Sequence, residues 1–229
     1  MMLFSYRVRH DSGSAPNPFW GTCTLVICKP GIRRKAVRGD WIVGTGSRNS
    51  PVGDLSKRVI YAMRVDRKLT MAKYDEWVAT RCRGKLPDVH NPDLRRTKGD
   101  AVYDFSTTPP AVRPSVHTTG DREHDLSGQF ALLSDRFLYF GCEAKPLPRH
   151  LWGLVKDGPG HRSSANAPLA MRVIQWLESL KLPWNSLLGD PCDWQADQLT
   201  GRTSSHCKRR PTTDICAGDR SLPLRGHSS

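Results

Sequence analysis

Short β-type runs separated by turn signals fill the first half of this chain, and no regular strand–helix alternation follows them. Phe4, Tyr6 and Val8 alternate with Ser5, Arg7 and Arg9, the period-two pattern of a half-buried strand. Pro16 and Pro18 in DSGSAPNPFWG forbid regular pairing over residues 11–21. β-branched and apolar residues return at 22–28, at 41–43 ahead of GTGS (44–47), and at 58–65. Thr70 reads as the N-cap of a short helix with Met71, Tyr74, Trp77 and Val78 on one face. Residues 80–128 have no clear period, so they form either a functional excursion or a segment hiding short strands. The pieces QFALLS and RFLYFG at 129–141, parted by Asp135, read as a hairpin or as consecutive core strands. A second helix is expected over 167–181, with Pro168 in its first turn and Leu169, Val173, Trp176, Leu177 and Leu180 on one face. Strands early and helices between and after them argue for α+β: a small, strongly bent mixed sheet or barrel flanked by two or three helices. A doubly wound parallel sheet does not fit. One domain is expected over residues 1–195, with a basic flexible tail over 196–229.

The chain has 229 residues, 38% of them hydrophobic, with 7 Trp, 5 Tyr and 6 Phe, enough to bury a core and to exclude wholesale disorder. It contains no apolar run near the ~18 residues of a membrane span, and its start turns polar too soon for a secretory signal. A cytoplasmic protein with no membrane partner is the expectation. The formal net charge is +13, distributed as +11 over residues 1–100, −1 over 101–195 and +3 over 196–229. An excess packed into one half points to a polyanion-facing surface. The 7 cysteines include no C-x-x-C pair, which removes zinc-ribbon and thioredoxin-like readings and leaves reduced thiols. His206, Cys207 and Cys216 lack a fourth ligand at useful spacing, so neither metal nor other cofactor is expected.

Several local patterns could carry chemistry. GTGS could aim backbone N–H groups at a phosphate, but without a nucleotide fingerprint a glycine-rich turn between strands is the simpler reading. His10 beside Asp11 could pair an imidazole with a carboxylate, and DREHD (121–125) could bind a cation or be a charged surface loop. The best candidate surface is the loop 29–38, where Arg33, Arg34, Lys35 and Arg38 can neutralise phosphates. Phe19, Trp20, Trp41, Tyr6 and Tyr61 bracket it, and rings beside cations suit a single strand or an extruded base. Trp41 and Tyr6 serve equally well as core.

The stretch FSYRVRHDSGSAPNPFWGTCTLVICKPGIRRKAVRGDWIVGTGS (4–47), followed by VIYAMRV (59–65), closely resembles the start of the nucleotide modification associated domain 2 family. GPGHRS (158–163) and GDPCDW (189–194) resemble that family's closing part, so the likeness covers about residues 3–195. Its motif falls on Tyr6, Asp11–Gly13, Pro16–Phe19, Arg33, Arg34, Gly39–Trp41 and Gly44–Ser47, joined later by His161 and Arg162. The resemblance implies a role beside enzymes that make or handle modified bases in phage and bacterial DNA. In layout the chain is also similar to the PUA-like superfamily with its ASCH and EVE modules, small barrels that hold nucleic acid.

The expected function is therefore a nucleic-acid-binding module that recognises a modified nucleotide or base. Arg33, Arg34, Lys35 and Arg38 would grip phosphates, Asp11, Asn17, Thr45 and Ser47 would bond a base edge, and Tyr6, Phe19 or Trp41 would stack. Nucleic acid, DNA first, is the expected partner, with DNA-modification enzymes beside it. Two other readings stay open: an enzyme using Asp11 with His10 or His161 as acid–base groups, and an interaction scaffold in a modification or defence complex.

Overall fold

Two antiparallel segments, 58–70 and 130–139, run alongside each other and bend together, and that bend divides the β structure into two sheets. The computed structural model describes residues 1–194. Its strands are β1 (Leu3–Arg7), β2 (Cys23–Leu25), β3 (Trp41–Thr45), β4 (Arg58–Arg64), β5 (Arg67–Thr70), β6 (Tyr103–Asp104), β7 (Ala111–Val112), β8 (Phe130–Ser134), β9 (Arg136–Tyr139), β10 (Lys145–Pro146) and β11 (Ser186–Leu187). Its α-helices are α1 (Pro30–Lys35), α2 (Met71–Arg81), α3 (Leu94–Thr97), α4 (Arg122–Leu126) and α5 (Ala170–Ser179). The main sheet has the order β1-β3-β4-β9-β11 with β10 on the start of β4, and β2-β8-β5 form the second sheet. β1 runs parallel to β3 and β11 parallel to β9, whereas the central pairs are antiparallel.

Asp66 holds the bend. Its N–H donates to Leu133 O at 2.9 Å, while its carboxylate accepts the N–H groups of Asp135 (2.9 Å) and Arg136 (3.2 Å) and the guanidinium of Arg64 (2.7 Å). Two strands that change sheet at one point leave ladder N–H groups without strand partners, and this side chain supplies the acceptor. Asp66→Ala is therefore expected to cost about 2–3 kcal/mol in urea unfolding, with Asp66→Asn costing less because one acceptor oxygen remains.

The core follows from strand alternation. Phe4, Tyr6, Ile42, Tyr61, Met63, Phe137 and Tyr139 face the second sheet, where Leu25 and Leu132 meet them. Leu3, Trp41, Val43, Ala62 and Leu138 face the other way, onto Val173, Ile174 and Leu177 of α5. On the outer side of the second sheet, Ala131 and Leu133 pack on Met71, Tyr74 and Val78 of α2. The order is helix, sheet, sheet, helix, which is an α+β architecture with mixed sheets. The main sheet ends at β1 and at β11, so no closed barrel forms among the described residues, which corrects the barrel alternative.

The first strand is buried on both faces rather than half-buried, because α5 and its lead-in cover the Leu3 and Ser5 side. Thr70 does cap α2, accepting from Lys73 N at 3.3 Å. QFALLS and RFLYFG are consecutive strands in different sheets. The excursion 80–128 holds α3, α4 and the β6–β7 pair, and Pro168 sits in a 3-10 lead-in to α5 rather than within it. The expected tail over 196–229 lies outside the described residues.

Candidate functional site

The GTGS motif ends β3 and delivers the chain to a cationic cleft of about 490 Å³. One wall is Gly46–Asn49 with Ser56 and Lys57, and the other is Trp152 with Val155–Asp157; Arg7, at the end of β1, also lines the space. Gly46 N donates to Arg58 O at 2.9 Å and Leu55 N to Ser47 O at 3.0 Å, folding the 46–58 excursion back on itself. A Cβ at Gly46 would collide with the Leu55 carbonyl, so the approach that forms this wall requires glycine.

The opposite wall is a 3-10 segment, Arg149–Leu154. With three residues per turn, Leu151 and Leu154 eclipse each other and are buried, and Trp152 is turned outward, 36% exposed. Its indole N–H donates to Leu147 O at 2.9 Å, and Leu147 N donates to Lys57 O, so the ring is fixed relative to the first wall. Lys57 Nζ rests 3.7 Å from the ring centroid and Arg149 lies 5.7 Å away. Arg7, Arg48, Lys57 and Lys156 face a single carboxylate, Asp157. Four cations against one acid around an exposed indole can hold an anion beside a flat ring.

Of the binding residues expected from sequence, only Ser47 lines this cleft. Arg33 is fully buried; its guanidinium donates to the carbonyls of Cys28 (2.8 Å), Phe130 (3.0 Å) and Asp125, which removes it from phosphate binding. Arg34, Lys35 and Arg38 are exposed, with Arg34 donating to Ser127 O at 2.7 Å. Asn17 is buried, its side-chain oxygen accepting from Lys85 Nζ at 2.7 Å and its amide donating to Lys98 O at 2.8 Å. Trp41 packs on Trp184, 5.6 Å between centroids, on the sheet face opposite Tyr6, so these two rings do not flank one pocket. The Tyr61 hydroxyl donates to the Tyr6 hydroxyl at 2.9 Å, and the buried Thr45 hydroxyl reaches Tyr6 O at 3.4 Å.

Asp11 and Phe19 join the two ends of the domain. Asp11 is 5% exposed; its carboxylate accepts from the Tyr139 hydroxyl (2.5 Å) and Cys192 N (3.0 Å), and burial pushes its pKa up. Trp194 stacks on Phe19 at 5.5 Å and donates to Ser12 O at 3.0 Å. The DSG and PCDW motifs are thus one docking contact, and Asp11 is bonded to a tyrosine and a backbone amide rather than to a histidine. His10 is exposed. His161 lies against Gly31, with its pKa pulled down by burial and by Lys35 and Lys29. In DREHD, Asp125 is buried and accepts from Cys28 N (3.0 Å) and the Tyr103 hydroxyl (2.9 Å) while pairing with His117 (2.7 Å), which anchors the excursion. Among the described residues no cluster of three or more His, Cys, Asp or Glu can hold a metal ion, and no helix is long and apolar enough to cross a membrane. His206, Cys207 and Cys216 lie outside the described residues.

The sequence reading missed Arg7, Arg48, Lys57, Trp152, Lys156 and Asp157. A signal existed in PRHLWGLVKD (148–157): the three-residue spacing of Leu151 and Leu154 leaves Trp152 outside the apolar stripe, between Arg149 and Lys156. No curated protein and no solved structure matches the chain. The family model described as nucleotide modification associated domain 2 matches residues 1–198, which include the strands, both cleft walls and the Asp11–Cys192 docking contact, and the chain belongs to that family.

Proposed function

We propose that this domain binds nucleic acid and recognises a modified nucleotide, DNA before RNA, in the cleft between Gly46–Lys57 and Trp152–Asp157, alongside DNA-modification enzymes. The observation that carries this reading is the exposed Trp152 ring set among Arg7, Arg48, Lys57 and Lys156. Cations supply salt-dependent grip on the backbone, and an indole face accepts any base, worth about 1–3 kcal/mol per stacked base. Ser47, Asn49 and Asp157 offer the polar groups that read a base edge or its substituent. A volume of about 490 Å³ suits one unpaired or extruded nucleotide rather than a duplex. When a base lands on Trp152, the Lys57 ammonium leaves the ring for the phosphate. The exposed Arg34, Lys35 and Arg38 add to the field that draws a polyanion in.

The test is a titration of labelled single- and double-stranded DNA, with and without modified bases, over a salt series. Arg48→Gln/Lys57→Gln is expected to reduce the slope of log K against log salt by about 1–2, one phosphate contact per cation removed. Absence of binding at about 50 mM salt, or an unchanged slope in that variant, overturns the reading.

A further inference from the structure

We propose that the modified base selected by the cleft is an acidic one, with Arg7 and Lys156 receiving its negatively charged substituent while Arg48 and Lys57 hold the strand's phosphates. This adds the chemical class of the modification to the nucleotide-binding reading of the cleft, on which it rests.

The charged lining divides by depth. Arg48 and Lys57 are exposed and belong to the Gly46–Lys57 wall, whereas Arg7 and Lys156 are half-buried. Arg7 stands opposite Thr45 in the parallel β1–β3 register, so the sheet itself sets it beside the GTGS turn. Lys156 follows Val155, whose side chain packs on the apolar layer under α5 and whose N–H donates to Trp152 O at 3.0 Å. Both half-buried cations are thus carried on anchored backbone around the cleft that Trp152 lines. A strand that extrudes one nucleotide keeps its phosphates at the mouth of a pocket and sends the base inward. Its phosphates meet the exposed cations first, and a base stacked on Trp152 turns its edges toward the half-buried ones.

Charge decides what those edges carry. Four cations face one carboxylate, Asp157, a surplus of three positive charges, and no ion pair among the described residues engages any of the five. The two phosphates flanking an extruded nucleotide supply two negative charges, which Arg48 and Lys57 match. Asp157 is exposed and keeps its water, so Arg7 and Lys156 are the charges that a bound base covers. Covering a cation with a neutral group strips its water and returns no partner, whereas a carboxylate returns charge-assisted hydrogen bonds. A cationic substituent meets two like charges and is rejected. Selection falls on the ionised group, so a neutral substituent of similar size is the comparison that isolates it.

Single-stranded hexanucleotides identical but for one central base, 5-carboxyuracil, 5-hydroxymethyluracil or 5-aminomethyluracil, are titrated into the full chain by calorimetry at one salt concentration. The carboxylate strand is expected to bind at least about tenfold tighter than the hydroxymethyl strand, and the aminomethyl strand most weakly. Arg7→Gln/Lys156→Gln should bring the first two strands within about twofold of each other, and Lys156→Gln alone, outside the sheet, should go part of the way. Arg48→Gln/Lys57→Gln should weaken all three alike and keep their ratio. A 5′-phosphate added to the hydroxymethyl strand should gain less than about threefold. A gain matching the carboxylate's would place the anion at a strand end and overturn its assignment to the base. Equal binding of the carboxylate and hydroxymethyl strands, or a preference that survives Arg7→Gln/Lys156→Gln, overturns the acidic-base reading and leaves the cleft standing. Absence of binding by every strand overturns the cleft itself.

Discussion

Lys85→Met will cost this domain about 3–5 kcal/mol, seen as a fall of about 10 °C in melting temperature. Lys85 is completely buried, and its ammonium donates to Asn17 O (2.9 Å), Asn17 Oδ1 (2.7 Å), Thr22 O (2.7 Å) and Thr24 Oγ1 (3.0 Å). The Thr24 hydroxyl donates onward to Asp100, as does the Tyr74 hydroxyl, both at 2.5 Å. One cation thus ties the proline-rich turn to β2, and through Thr24 to a buried carboxylate. A methionine of similar length fills the space but takes the ammonium's hydrogen bond from Thr22 O and Thr24 Oγ1, leaves Asn17 O and Oδ1 with only the N–H groups of Thr24 and Phe19, and leaves Asp100 without a counter-charge. Adding Asp100→Asn to Lys85→Met should recover about 1–3 kcal/mol, since the orphaned charge is then gone. Burial holds the Lys85 pKa down at about 8, against the 10.5 of a free side chain. Between those values the unfolded chain binds more protons, so this group makes stability rise with pH across that window, and the gap between wild type and Lys85→Met should widen from pH 8 to 10.5. A Lys85→Met protein that melts with the wild type, or a gap that narrows over that window, would refute the network.

The same network shows why the fold was more legible than the site. Period-two runs and a capped helix report burial directly, and β1, β3, β4 and α2 fell where the pattern placed them. The resemblance named the right family, but Asp11, Asn17 and Phe19, expected from it to line a base pocket, hold parts of the fold together. Asp11 and Phe19 join residues 192 and 194 to the first turn, and Asn17 receives Lys85. A buried polar residue and a ligand-reading polar residue look alike in one sequence, since both are small hydrogen-bonding groups among glycines and prolines. The bend at Asp66 and Asp135 was hidden for a different reason: an acid between two apolar runs reads equally as a hairpin tip and as a sheet corner. The cleft gathers residues 7, 46–49, 56–57 and 152–157, and no spacing rule links segments that distant in the chain.

Arg33→Met should separate the structural cation of α1 from the surface ones, losing about 3–5 kcal/mol of stability while leaving the salt slope of DNA binding as in wild type. The Arg33 guanidinium bonds carbonyls on three stretches of chain: Cys28 before α1, Asp125 within α4 and Phe130 at the start of β8. Burial lowers its pKa to about 10, still charged at neutral pH, so its removal exposes three desolvated carbonyl oxygens rather than neutralising a surface. It lies flat against Gly128, where a Cβ would run into the guanidinium carbon. Gly128→Ala should therefore destabilise in the same direction by about 1–3 kcal/mol without touching any charge. Arg34→Gln and Lys35→Gln, both at exposed positions, should stay within about 0.5 kcal/mol of wild-type stability. Binding is measured below the melting point of each variant, so that loss of fold and loss of contact are read separately. A reduced salt slope in folded Arg33→Met, with stability unchanged, would mean that this guanidinium reaches phosphate in solution. The carbonyl cage around it would then not be its resting state.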